Sequence, residues 1–294
     1  MNKKYILPII LSLLVIGLGS AALLNYFGTK TTIINVEQAV ILSDCSETME
    51  ASGGETVTSS ECVILSQTSV DVPIVISTSI EPNDGGIESV KSEYNLYAVG
   101  TNPREDRIRV NAEDIGINTL SDLNTISFKQ NVIEGYVGHV DVRVIKDDGS
   151  EDALVFEYDK VDDGCGNGAP FPVGKMDTFG DKGIVDNDAF AWLSSGAAGN
   201  CQGDPDYTVG ALGDWKAGTV IPGISGSSKV VAIEFEVDSW IATSSSKISE
   251  LKINDVDASK ITIQSSKEIA FDLIMKFANG AVGNYTLTTN VEVQ

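Results

Sequence analysis

Apolar and polar side chains alternate along much of this chain. Residues 70–80 read VDVPIVISTSI and place Val70, Val72, Ile74, Ile76 and Thr78 on one face. Residues 140–145 alternate as VDVRVI, and residues 285–293 read YTLTTNVEV. Residues 230–237 read VVAIEFEV, which sets Val231, Ile233, Phe235 and Val237 together. A further β-prone run, TTIINVEQAV, covers residues 31–40. A period of two, with β-branched side chains and Gly, Asp and Asn between the runs, predicts half-buried antiparallel strands. Helical signals are few. Residues 186–195 (DNDAFAWLSS) predict a short capped helix, and residues 212–217 a single turn. The expected fold class is all-β: a jelly-roll or β-sandwich with a second β-sandwich-like module inserted and few short helices.

The middle of the chain differs from its ends. From about Arg104 to Val256 it holds Trp192, Trp215 and Trp240, most of the long Asp/Gly loops and two of the cysteines. The flanks are simpler Ser/Thr/Val strands. The expected organisation is therefore a domain from residues 23–103 and 257–294, interrupted by a module at 104–256. The alternative is two domains in tandem, with a C-terminal strand returning to the first.

The first 22 residues have the form of an export signal. Lys3 and Lys4 precede an apolar run from Tyr5 to Leu18, followed by Gly19, Ser20, Ala21 and Ala22. Basic, apolar and small-residue segments in that order form a secretory signal peptide, and Ser20 with Ala22 fits an A-x-A-like cleavage site. Cleavage is expected after Ala22, with Ala21 as the rival position. The other reading is an uncleaved anchor, because counting on to Leu24 gives about 20 apolar residues, enough to span a bilayer. Either way the bulk of the protein is expected to be extracellular, at the cell surface.

Charge and cysteine content sharpen this picture. The net charge of −22 repels nucleic acid and anionic lipid, so no nucleic-acid partner is expected. The same charge offers carboxylates to divalent cations. Cys45, Cys62, Cys165 and Cys201 are an even set in an exported chain, which predicts two disulfides. Three connectivities are possible; Cys45–Cys62 with Cys165–Cys201 is the most local. No C-x-x-C occurs and His139 is the only histidine, so no zinc site is expected.

Several residue groups carry candidate chemistry. Residues 146–152 read KDDGSED, and Asp147, Asp148, Glu151 and Asp152 are candidate oxygen ligands for Ca2+. Their spacing is not that of an EF-hand, and a solvated hairpin turn at Asp148-Gly149 is the plainer reading. Residues 159–163 and 181–188, with Asp204 and Asp206, add further acidic loops, within which Asp186 is placed to cap the expected helix. Calcium is thus the candidate ion, and no other cofactor is expected. The three tryptophans suit either sugar stacking or core packing, the second being the commoner role. His139 and Asp141 share a face of their strand. No G-x-S-x-G elbow accompanies them, so no catalytic residues are assigned and an enzyme is not expected. Asn284-Tyr285-Thr286 is an N-glycosylation sequon.

The apolar export signal runs into LLNYFGTKTTIINVEQAVIL, and the chain ends in a GNYTLTTNVEV strand. Together these segments resemble the TasA/camelysin-like fibre subunits and the related archaeal bundling pili and threads. The resemblance implies a jelly-roll whose subunits polymerise by donor-strand complementation, the mature N-terminal strand of one filling a groove in the next. Leu23, Leu24, Tyr26, Phe27, Thr31, Ile33 and Asn35 would be the donor-strand residues, and other copies of the chain the partners. The middle segments LSDLNTISF, HVDVRVI, DALVFEY, AWLSSG, DWKAGTV and IEFEVDSW look like a lectin-like, concanavalin-type module of archaeal surface proteins, which implies glycans as a second class of partner. The family's simpler members lack so large a middle module. Physically, an apolar β-prone arm cannot satisfy its backbone alone in water and must pair with a sheet. The expected function is a structural subunit of a cell-surface filament; the alternative is a monomeric or anchored surface adhesin that binds glycans.

Overall fold

The computed structural model describes residues 39–43, 45–59, 61–99, 104–135, 137–157, 184–196, 208–237, 243–264 and 267–294. The period-two segments form strands, and the strands form two extended antiparallel sheets. The first sheet runs Val40–Leu42, Cys62–Ser66, Glu268–Phe277, Ile87–Val99, Ser244–Ile253, Ile126–Glu134 and Ile184–Val185, with three short strands paired beside this path. The second runs Val209–Ala211, Phe190–Leu193, Glu151–Phe156, His139–Ile145, Lys229–Glu236, Arg107–Asn111, Lys260–Ile263, Val72–Glu81, Val282–Val293 and Ser46–Ser52. Helical structure among the described residues is short, the longest piece being the six-residue helix Leu212–Ala217, close to the single turn expected there.

Both sheets contribute to one apolar cluster. Phe128 of the first sheet meets Phe235 of the second edge to face, with ring centroids 5.2 Å apart. Phe277 and Tyr285 make a second contact between the sheets at 5.4 Å. The buried side chains follow the pleat: Val140, Val142 and Val144 are fully buried on one face of their strand, as are Ile233 and Phe235 on theirs. Residues Gln38–Gln294 form one compact unit. Strands from the flanks and from residues 104–256 neighbour one another within both sheets, Arg107–Asn111 pairing with Lys260–Ile263, for example.

Two expectations change in detail. Residues 186–195 are not helical. Asp186 instead closes a turn, its side chain accepting from the Asp188 backbone N–H at 2.9 Å. Phe190–Leu193 is then a strand with alternating burial, between Glu151–Phe156 and Val209–Ala211. Tertiary pairing on both sides overrides a weak local helix preference. Val231 does not share the face of Ile233 and Phe235. A bulge between Arg143 and Val144 pairs Arg143 with Ala232 and Val144 with Val230, so Val230 enters the core and Val231 is only half-buried. An extra residue on one strand resets the alternation beyond it.

Cys45 and Cys62 are joined in a disulfide; Cys165 and Cys201 lie outside the described residues. The bond closes a loop of 17 residues over Gly-, Ser- and Thr-rich sequence with little core of its own. In the chain-entropy picture such a link is worth about 3 kcal/mol. The Cys45→Ala/Cys62→Ala double variant should lose about that much stability in a urea titration. Phe235→Ala should cost about 3–5 kcal/mol, since it empties the contact between the sheets where relaxation is hardest; the urea midpoint of the purified variant checks this.

Candidate functional site

The core-facing valines of His139–Ile145 leave His139, Asp141 and Arg143 on the opposite face. The antiparallel register places His139 across from Glu236 and Asp141 across from Glu234. On the next strand Arg107 lies across from Glu236 and Arg109 across from Glu234. The row through Asp141 continues outward to Val155 and Trp192 on one side and to Thr262 on the other. Three strands written RIRVN, HVDVRVI and KVVAIEFE thus stack their charged positions into one cluster.

This face is buried rather than solvated. Glu234 is 1% exposed, Asp141 5%, and His139 and Glu236 6% each. Buried charge is tolerated only with partners. Glu234 has two, accepting from Arg109 Nη1 at 2.7 Å and from Arg107 Nη1 at 3.3 Å. Arg107 Nη1 also lies 3.0 Å from Glu236 Oε2. Glu236 Oε1 and His139 Nε2 are hydrogen-bonded at 3.1 Å. Arg143 turns outward and donates to Glu151 at 2.8 Å. Asp141 is less well served: its Oδ1 is 3.6 Å from His139 Nε2 and has no hydrogen-bond partner.

Protonation follows from these surroundings. Burial pushes Asp141 up to about 7; His139 pulls it back, while Glu236 and Glu234 add to the rise. Burial also acts to raise Glu236, but the His139 hydrogen bond and the charges of His139, Arg107 and Arg143 outweigh it and hold its carboxyl below the usual range. Two carboxylates on neighbouring strands are therefore driven apart by their partners. His139, Asp141 and Glu236 bring ligand-type atoms within 4.8 Å of one another, the one such grouping among the described residues.

The four candidate calcium ligands sit elsewhere, and the side chains of Asp148, Glu151 and Asp152 have protein partners there. The loop after Ile145 is the hairpin turn that Asp148-Gly149 predicts: Lys146 N donates to Ser150 O and Gly149 N to Lys146 O, each at 2.8 Å, with Gly149 at φ 84°. Asp148 Oδ1 accepts from the backbone and hydroxyl of Ser150. The Asp147 backbone N–H bonds Gly223 O at 2.9 Å, and Glu151 pairs with Arg143. Asp152 is buried. It accepts from Lys146 Nζ at 3.0 Å, from the backbone N–H groups of Ala153 and Ser195, and from the Ser195 hydroxyl.

Trp215 is fully buried and donates from Nε1 to Ala191 O, a core role. Trp192 is half-buried and its Nε1 is unpartnered. Asn284 is exposed on its strand, with Tyr285 directed inward, which leaves the sequon's amide accessible. Trp240, Asp204, Asp206, residues 159–163, Asp181 and the donor-strand residues Leu23, Leu24, Tyr26, Phe27, Thr31, Ile33 and Asn35 lie outside the described residues.

A cavity of about 470 Å3 lies beside the bulge in Ser244–Ile253, between Ile76, Val90, Tyr94, Leu251 and Ala258. Glu250 adopts φ 53° at this bulge and is ion-paired with Lys91 and Lys129. Burial pushes the Tyr94 phenol up to about 12, so that hydroxyl stays neutral.

No family model matches the chain, and no curated protein or solved structure matches it.

The sequence singles out His139 and Asp141 but not Glu234, Glu236, Arg107 or Arg109. Their alternation with Ile108, Val110, Ile233 and Phe235 was visible; what it could not tell was that the polar side of these strands is covered too.

Asp152 yields a pH prediction. Burial raises its pKa, but the bonds from Ser195, Lys146 and Ala153 outweigh that and bring it below the usual value of 3.8. A carboxyl lowered on folding stabilises the native state fully above its unfolded pKa and loses that contribution as pH falls through the folded one. Asp152→Asn should therefore unfold at lower urea than the wild type at pH 7, and the difference should shrink below pH 3.8. A gap that stays constant down to strongly acidic pH would show that Asp152 contributes by packing alone.

Proposed function

We propose that this protein is an extracellular structural subunit of a cell-surface filament, whose copies join head to tail through the apolar N-terminal strand. In this reading the two sheets are the layers of a jelly-roll sandwich. The observation that carries it is the sheet edge at Val40–Leu42. This strand has only three residues, pairs with Cys62–Ser66 and, among the described residues, ends the path of its sheet. Ile41 and Leu65 lie opposite each other across this pair, and both are 39% exposed. An edge strand presents backbone groups that template another strand, and exposed apolar side chains beside it favour the addition. The β-prone run of residues 31–40 feeds directly into this edge.

The disulfide suits the same role. Cys45 follows the edge strand closely and is bonded to Cys62, the first residue of the neighbouring strand. Tension applied through an N-terminal arm would pass by a covalent link to Cys62–Ser66, and from there to its ladder with Glu268–Phe277. A three-residue ladder alone would carry such a load poorly. Head-to-tail strand addition does not close on itself, so it propagates into a filament.

Negative-stain microscopy of the exported protein, with and without residues 23–36, tests this. The full chain should form filaments, and the deletion variant should remain soluble with an unchanged far-UV spectrum. Filaments that persist in the deletion variant would refute the arm's role. A full chain that stays monomeric at all concentrations would favour the adhesin reading instead.

A further inference from the structure

We propose that His139, Asp141 and Glu236 form a binding site for a single divalent transition-metal ion of the zinc class. His139 Nε2 lies 3.1 Å from Glu236 Oε1 and 3.6 Å from Asp141 Oδ1. An ion bonded to nitrogen and oxygen at about 2.0–2.2 Å in tetrahedral geometry holds its ligands roughly 3.4 Å apart. Both spacings to the imidazole are those of a coordination shell, and the two carboxylate oxygens lie within 4.8 Å of each other.

A second, independent observation points the same way. Asp141 is buried, yet its Oδ1 accepts no hydrogen bond and is directed at His139. A buried carboxylate oxygen without a partner is uncommon and costly. A cation between Oδ1, Nε2 and Glu236 Oε1 would supply what it lacks. The surrounding residues hold the ligands in place for this. Arg107 and Arg109 occupy Glu234; Arg107 Nη1 lies 3.0 Å from Glu236 Oε2, an ion pair without a hydrogen bond, while Oε1 faces the imidazole. All three ligands stand on two paired central strands, which fix positions better than loops do.

The ligand types define the class of ion. One imidazole and two carboxylates suit zinc, ferrous iron or manganese; the imidazole disfavours calcium, and no thiolate is present to select a softer ion. Three protein ligands leave a fourth position for water or a ligand atom. Spacing along the chain hides such a site. Its signature is neither a C-x-x-C nor a pair of histidines but three positions, 139, 141 and 236, joined by strand register.

The chain contains one histidine, so the imidazole nitrogen resonances of the full-length protein report on His139 alone. Protein stripped with chelator is titrated with Zn2+ while those resonances are followed, and with Co2+ while visible absorbance is followed. The expected result is a large shift of Nε2, together with Co2+ bands that saturate at one ion per chain and disappear on adding Zn2+. Asp141→Asn, which keeps the side-chain shape, should weaken binding at least tenfold. An unmoved imidazole resonance at excess Zn2+ would overturn the site and leave the cluster as an ionic network. So would Co2+ binding that is identical in wild type and Asp141→Asn. The histidine spectrum needs no variant, so the result stands even if a substitution impairs folding.

Discussion

A strand buried on both faces must satisfy two requirements at once: apolar packing on one side and partners for every polar group on the other. His139–Ile145 and Lys229–Glu236 are such strands. Their inner faces carry Val140, Val142, Ile233 and Phe235 into the shared cluster, and their outer faces carry His139, Asp141, Glu234 and Glu236 out of reach of water. Much of the surrounding structure follows. Arg107 and Arg109 are required opposite Glu234 and Glu236, because unpaired buried carboxylates would revert to the neutral form or unfold the region. The register that aligns the valines also aligns the charges, since side chains on one strand cannot shift by one position without changing face.

That coupling explains why the bulge at Arg143 and Val144 matters. Without it, Val231 would continue the alternation and Val230 would face outward. With it, Val230 completes the core while Ala232, a small residue, lies across from Arg143. Arg143 pairs with Glu151 on the adjacent strand, and Asp141 has His139 as a near neighbour.

The sheet edge at Val40–Leu42 is held differently. Val40–Leu42 is short, exposes Ile41 and is held by a covalent link just beyond it, where the central strands are long and held by packing. Were copies to join at this edge, as proposed, the rest of the sheet would have to stay intact during strand addition. The Cys45–Cys62 bond and the ladder from Cys62–Ser66 into Glu268–Phe277 give that edge a firm base. His139, Asp141 and Glu236 stand on the other sheet, away from this ladder.

The all-β class was legible because period two is a local property: each of VDVPIVISTSI, VDVRVI and YTLTTNVEV carries it within a few residues. The hairpin at Asp148-Gly149 was legible for the same reason, since turn chemistry is written in adjacent residues. The strand at Phe190–Leu193 was not, because four residues between polar neighbours match a helix turn as well as a strand, and only pairing on both sides decides. The charge cluster was half legible. Alternation assigned His139 to the face of Asp141, but it did not single out Glu234 and Glu236, and a polar face reads in sequence as a solvated one. Which strands lie side by side, and that this polar face is closed off from water, depends on contacts between residues about a hundred positions apart. Those contacts are a property of the folded sheet, and no stretch of the chain encodes them alone.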